Sequence, residues 1–186
     1  MKNRFRSRAG IVAAICLCLG LGIFGSARIH SLTAGSLQDG GKQVLKESVV
    51  TMHAGGTFDV KLTPQSPEPG ADPSLGRMTI DKQYRGDLEA HSIGQMLTGM
   101  TDVKGSAGYV AIERVTGKLH GRSGSFTLQH TGIMAHGDYQ LTVTIVPDSG
   151  AGELAGIAII AGSFKFNVDA AGKHSYEFDY TLPEKH

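Results

Sequence analysis

Three ionisable side chains of complementary kind, Lys82, Glu113 and His130, fall in strand-like stretches where the residues two places away are mostly apolar or small. Alternation with period two puts such positions on the buried face of a sheet. Charges buried there are costly unless they pair, so the three either neutralise one another or serve a chemical purpose. In the first reading, Lys82 and Glu113 form a structural ion pair and His130 hydrogen-bonds to a tyrosine. In the second they are a candidate catalytic set, with Glu113 as general base or stabiliser of developing positive charge and His130 as proton carrier near neutral pH. Tyr84, Tyr109, Tyr139 and Tyr176, with Phe126 and His174, share the inward faces and would offer ring surfaces, hydroxyls and a further imidazole to a ligand.

The familiar signatures of other chemistries are absent. The eight histidines include no His-x-His or HExxH pair, so no metal site is expected. Gly150, Gly152 and Gly156 miss the dinucleotide-binding spacing, no GxSxG elbow occurs, and Glu153 reads as a turn or strand-start residue. No cofactor is implied.

The elements that must position these residues are strands. Phe58, Val60 and Leu62 alternate with polar neighbours, and Met78, Ile80, Lys82, Tyr84, Gly86, Leu88 and Ala90 share a face opposite a charged set. Tyr109, Ala111, Glu113, Val115, Gly117, Leu119 and Gly121 form the next inward face, followed later by Tyr139 to Ile145, Phe164 to Val168 and His174 to Leu182. A turn at Ser123-Gly124 would pair Arg122 with Ser125, Gly121 with Phe126, Leu119 with Leu128 and Gly117 with His130. His130 would then stand four strand residues from Glu113, roughly 13 Å away, and the two need not touch. The four prolines of Thr63 to Pro73 mark a loop. Seven or eight such strands hide their edges best by closing, so an all-β, single antiparallel, closed or nearly closed barrel of about eight strands is expected. Its small inward residues either fit a tapering packed core or leave room for one small ligand.

The segments GTFDVKL, DKQYRGDLEA (81–90), IGQML (93–97), GSAGYVAIERVTGKLHGRSGSFTLQHTG (105–132), VPDSGAGELAGI (146–157) and GKHSYEFDYTLP (172–183) resemble an uncharacterised bacterial family of small barrels related in fold to plant allene oxide cyclase. The resemblance covers essentially everything after residue 53 and implies an allene oxide cyclase-like barrel. It implies no activity. Ala158 to Gly162 looks a few residues longer than the family pattern.

Ahead of this domain, Lys2, Arg4, Arg6 and Arg8 precede an uncharged apolar stretch, Ile11 to Phe24, and the small-residue site Gly25-Ser26-Ala27. This is the pattern of an export signal over 1–27, with an uncleaved membrane anchor as the alternative, followed by a linker over 28–53 and the barrel over 54–186. Both cysteines lie in the signal, which removes thiol chemistry and disulfides from the mature protein. Four of the 18 basic residues and none of the 17 acidic ones precede residue 28, so the mature charge is 14 − 17 = −3. No basic patch marks a nucleic-acid or membrane partner. The expected protein is a periplasmic or secreted barrel that binds a small apolar or amphipathic molecule. A cofactor-independent isomerase or cyclase, and a ligand-free barrel that self-associates as a homo-oligomer, are the alternatives.

Overall fold

A computed structural model of the chain describes residues 49–183. The expected signal segment lies outside the described residues, as does most of the linker. Ten strands and no helix are present among the described residues. The long ones are β1 (Val49–Pro64), β2 (Leu75–Gly86), β3 (Leu88–Met100), β4 (Ala107–Leu119), β5 (Arg122–Ala135), β6 (Asp138–Ile145) and β10 (His174–Pro183). The short ones are β7 (Ala151–Gly152), β8 (Ala158–Ile159) and β9 (Lys165–Val168). The first begins inside the stretch read as linker, so the sheet starts at Val49 rather than Ala54.

All pairings are antiparallel, and the sheet runs β6-β5-β4-β3-β2-β1-β10-β8, with β7 on β5 and β9 on β10. It curls into a barrel that is nearly closed. One seam, between β6 and the β8–β9 side, is not sealed by strand pairing. The period-two reading sorts the faces as expected: in β2, Met78, Ile80, Lys82 and Tyr84 are buried while Arg77, Asp81, Gln83 and Arg85 are exposed. The run from Met78 to Ala90 is two strands, because the chain folds back at Gly86-Asp87 and pairs Tyr84 with Ala90. Gly86, expected to face inward, is instead exposed: it ends β2, paired with Gly56, and takes φ +107° as the chain enters the turn.

The β4–β5 hairpin differs from the expected one. Its loop is His120-Gly121, with φ of 47° and 78°, and Leu119 pairs with Arg122. His130 therefore faces Ala111 rather than Gly117, a slide of six residues (117 − 111). Gly121 is an exposed turn residue and not an inward one. Left-handed φ at both central positions matches the right-handed twist of the flanking strands. Histidine visits this region more readily than most side chains, and here Nδ1 of His120 is 2.8 Å from the Tyr180 hydroxyl. The Ser123-Gly124 alternative loses because Gly124 is needed in the strand: a Cβ on it would lie 2.2 Å from the Ala151 carbonyl oxygen. The next hairpin repeats the device, with His136 at φ 54° and Gly137 at φ 101° between Ala135 and its partner Asp138.

The extra length at 158–162 also has a structural account. β8 pairs Ile159 with Tyr180 while β9 pairs Val168 with His174, so the pair sums change from 339 to 342. Three additional residues thus loop out between β8 and β9. Phe164, at the end of this loop, turns inward and stacks on Phe178 with ring centroids 5.0 Å apart.

The barrel is filled unevenly. The half that carries the β2–β3 and β4–β5 turns is packed with Tyr84, Leu88, Leu119, Phe126, Phe178 and Tyr180, all 2% exposed or less. The opposite half has a much thinner core of Met78, Ile80, Met96 and Ala111.

Because His120-Gly121 sets the pairing that brings His130 beside Glu113, its backbone should be sensitive to substitution. Gly121→Val is expected to cost about 1–2 kcal/mol from left-handed strain, whereas Gly121→Asn should cost only a few tenths, since asparagine tolerates that region. Urea midpoints of the two variants check this.

Candidate functional site

Glu113 is the centre of the site. It projects inward from β4 and is wholly buried. Opposite it on β3 is Gly94, where a Cβ would lie 2.7 Å from Glu113 Cγ and 2.4 Å from the Ile112 carbonyl oxygen. The bare glycine is what leaves the carboxylate its room. Both carboxylate oxygens are used. Oε1 accepts from Lys82 Nζ at 2.5 Å and from His130 Nε2 at 2.6 Å. Oε2 accepts from the Ser92 hydroxyl at 2.7 Å. Lys82 and His130 are themselves 5% and 4% exposed, so the cluster is out of water.

Burial alone would raise the Glu113 pKa. The His130 hydrogen bond, the Lys82 charge, the His130 charge and the Lys82 hydrogen bond outweigh it and hold the carboxyl at about 2. Glu113 is thus an anion, and His130 must donate its Nε2 proton to it. Lys82 is also cradled by rings, its Nζ lying 4.9 Å from the Phe166 centroid and 5.4 Å from that of Phe58.

The other nitrogen of His130 faces β4 again: Nδ1 is 3.3 Å from the Tyr109 hydroxyl, which is 2.9 Å from the hydroxyl of Tyr139 on β6. Tyr109 owes its place to another bare position. A Cβ at Gly132, its β5 partner, would lie 2.1 Å from the tyrosine ring. The result is one hydrogen-bonded relay: Lys82 and Ser92 to Glu113, then His130, Tyr109 and Tyr139.

This relay borders a cavity of about 720 Å³ in the thinly packed half. Val60, Leu62, Ile80, Met96 and Leu141 line its apolar walls. Tyr139, Leu141, Phe164 and Phe166 bring both sides of the unsealed seam to it. Lys82, His130, Tyr109, Tyr139 and His174 reach its surface, whereas Glu113 is behind them. Nε2 of His174 is buried with no hydrogen-bond partner among the described residues, and burial, then the Lys82 charge, lower its pKa.

Of the residues picked out from sequence, Lys82, Glu113, His130, Tyr109 and Tyr139 come together, and His174 lines the same cavity, its ring 5.0 Å from that of Phe58. Glu113 and His130 touch, contrary to the expected spacing, because the hairpin pairs His130 with Ala111, two residues from Glu113. Tyr84, Phe126 and Tyr176 do not line the cavity. They fill the packed half, where Tyr176 accepts a hydrogen bond from the Leu88 amide at 2.9 Å and its ring meets Tyr84 edge-on. Tyr84 Oη has no well-formed hydrogen bond among the described residues, and burial, then the Glu113 charge, push its phenol well above the ordinary range. Ser92 was not singled out from sequence, although its parity with Leu88 and Ala90 places it inward.

Two consequences are measurable. The Glu113 carboxyl ionises at about 2 in the folded state against an ordinary 4.5. Its contribution to stability is therefore complete above about pH 4.5 and lost as pH falls towards 2, on the order of 3 kcal/mol. Acid titration of unfolding free energy should show this loss in the wild type and a flatter profile in Glu113→Gln. Second, Lys82→Met and Glu113→Gln should each cost about 3–5 kcal/mol by stranding a buried partner, while the double variant costs clearly less than their sum. A urea double-mutant cycle reads this coupling.

A family model described as a protein of unknown function, DUF3224, matches residues 54–180. No curated protein matches the sequence. Among solved structures, a protein of unknown function from the DUF3224 family of Shewanella oneidensis MR-1 is 48% identical, with a TM-score of 0.66 over 74% of this chain and 100% of that one. The matched span takes in every residue of the buried relay, and the chain belongs to the DUF3224 family.

Proposed function

We propose that this protein is an exported barrel that binds one small molecule with an apolar body in the half-open interior. The observation that carries the reading is the 720 Å³ cavity with apolar walls and a cluster of polar groups on one side. Ligand sites have this composition and a volume of roughly 300–1,000 Å³. A barrel evolved only to pack would fill such a space, as the other half of this one is filled by aromatic rings. The basic head, apolar stretch and small-residue site of the first 27 residues support export.

The alternative of an isomerase or cyclase with Glu113 as base is disfavoured by the same geometry. The carboxylate accepts from three donors, does not reach the cavity and is held at about 2, all of which make it a poor proton acceptor at neutral pH.

Binding can be tested with 1-decanol as a neutral probe. Isothermal titration of the mature protein should show one molecule per chain. Leu141→Trp, which places a large ring in the cavity at the seam, should abolish the heat while leaving the unfolding free energy in urea within about 1 kcal/mol of wild type. No binding by the wild type, or undiminished binding by the variant, defeats the reading. N-terminal sequencing of exported protein should begin at Arg28, and a start before it defeats the cleavage site.

A further inference from the structure

Nine large apolar side chains are exposed among the described residues, and they are not scattered. Five of them, Ile93, Leu97, Val110, Ile112 and Ile133, share the outer face of β3, β4 and β5. Each stands next to a buried residue in its strand, so parity turns it away from the barrel interior. Register gathers them, with Leu97 opposite Val110, Gln95 opposite Ile112 and Gly108 opposite Ile133. The outer positions that continue the face over β5 and β6 are Gln129, Thr131, Gln140, Thr142 and Thr144. No charged residue interrupts a face that is four strands wide and, along β3 from Ile93 to Gly99, seven residues long.

The charges at its border are directed elsewhere. Arg114, opposite Ile93, gives its guanidinium to the Ser125 and Thr127 hydroxyls and the Ser149 carbonyl. Asp81, on the other side of Ile93, lies 2.9 Å from Nε2 of His91, and Arg77, beside Leu97, lies 3.4 Å from Glu68. A charged partner would find no complement on this face. Two copies of the face carry no like charges to repel each other.

Its relief also matches itself. Gly99 and Gly108 are outward partners across β3 and β4, next to the Leu97 and Val110 pair. A Cβ at Gly99 would meet nothing within 4 Å, and one at Gly108 would make only an ordinary contact at 3.8 Å. Neither glycine takes a positive φ. Nothing among the described residues calls for glycine at these places, although glycine weakens a strand interior. Glycine in a strand marks the close approach of another backbone or a ligand, and here that approach comes from outside the barrel. A two-fold axis lying in the interface between the two rows sets the Leu97–Val110 ridge of one copy into the Gly99–Gly108 notch of the other.

We propose that this protein forms a two-fold homodimer through the outer face of β3, β4, β5 and β6. Four strands and seven residues span roughly 19 by 23 Å, about 440 Å² in projection before side-chain relief and rim are counted. A continuous patch beyond a few hundred Å² marks an interaction site, and with its rim this one reaches the scale of the roughly 800 Å² per partner that stable complexes bury. Depletion of charge is what distinguishes the cores of such interfaces. A lipid surface suits the face less, since no lysine, arginine or aromatic ring stands among its residues to seat it there. The dimer does not depend on the cavity being a ligand site.

Sedimentation equilibrium of the mature protein should give a dimer with a dissociation constant below about 10 μM. Val110→Lys sets two like charges near the axis and should weaken the dimer at least about a hundredfold. An equimolar mixture of Val110→Lys and Val110→Glu should restore it. Gly99→Gln fills the notch without adding charge, has room within the single chain and should weaken the dimer at least about tenfold with the far-UV circular dichroism unchanged. Isotope-filtered NOEs on mixed-labelled wild type, which need no variant, should join Leu97 or Val110 methyl groups of one copy to Gly99 or Gly108 of the other. A wild type that stays monomeric at about 100 μM overturns the inference, whether neutral phosphatidylcholine vesicles or the residues before Val49 then cover the face. So does a dimer that survives either substitution, or one that lacks these NOEs.

Discussion

A carboxylate removed from water must recover its solvation from the protein, and much of the barrel's middle layer is arranged to supply it to Glu113. The donors come from three strands: Lys82 on β2, Ser92 on β3 and His130 on β5. The space comes from Gly94. None of these contacts is local in sequence, with separations of 31, 21 and 17 residues. The ion cluster can therefore form only when β2, β3, β4 and β5 are in register together. A one-residue slip would turn a whole inward set to the outside, and a two-residue slip would leave a buried charge without its partner. The cluster is in that sense a register lock as well as a site.

How far the sequence discloses this depends on the kind of information asked of it. Face assignment is a parity question, and period-two alternation answers it at Lys82, Glu113 and His130, all of which are buried. It survives even the misplaced hairpin, because the register slides by six, an even number. Distance is a different question. Ser123-Gly124 looks the better turn locally, and what decides for His120-Gly121 is tertiary: the Tyr180 hydroxyl holding His120, and the Ala151 carbonyl requiring a bare Gly124. Neither partner is near the hairpin in sequence. A weaker local signal existed in the repeated His-Gly pair at 120–121 and 136–137, each serving as a two-residue loop. The division of the aromatic residues between filler and lining was out of reach for the same reason. Tyr84, Phe126 and Tyr176 read like Tyr109 and Tyr139, and only their height along the barrel separates them.

That height difference is what divides the molecule. Near the β2–β3 and β4–β5 turns, large rings meet across the interior, with Tyr84 against Tyr176 and Phe164 against Phe178. Beyond the level of Glu113, the inward positions on β4 and β5 become Ala111 and Gly132, and volume is lost. The three residues that loop out between β8 and β9 keep β9 on β10 but interrupt the strand that would otherwise face β6 without a break. An irregular edge is a common means of ending pairing near a binding site. Here it leaves the seam open on the side of the cavity.

The two features together bear on why the charges are there at all. Replacing a buried ion cluster by well-packed apolar groups is often neutral or stabilising, and this fold shows in its other half that it can fill an interior with rings. Stability alone does not call for Lys82, Glu113 and His130 beside a cavity. Register specificity accounts for the Lys82–Glu113 pair, since one contact from β2 across β3 to β4 ties together the registers of the β2–β3 and β3–β4 pairings. It does not account for His130, whose second nitrogen faces Tyr109 and through it Tyr139, at the cavity surface. A purely structural cluster would end in the core. Here the hydrogen-bonded chain continues from His130 through Tyr109 to Tyr139, both of which line the cavity.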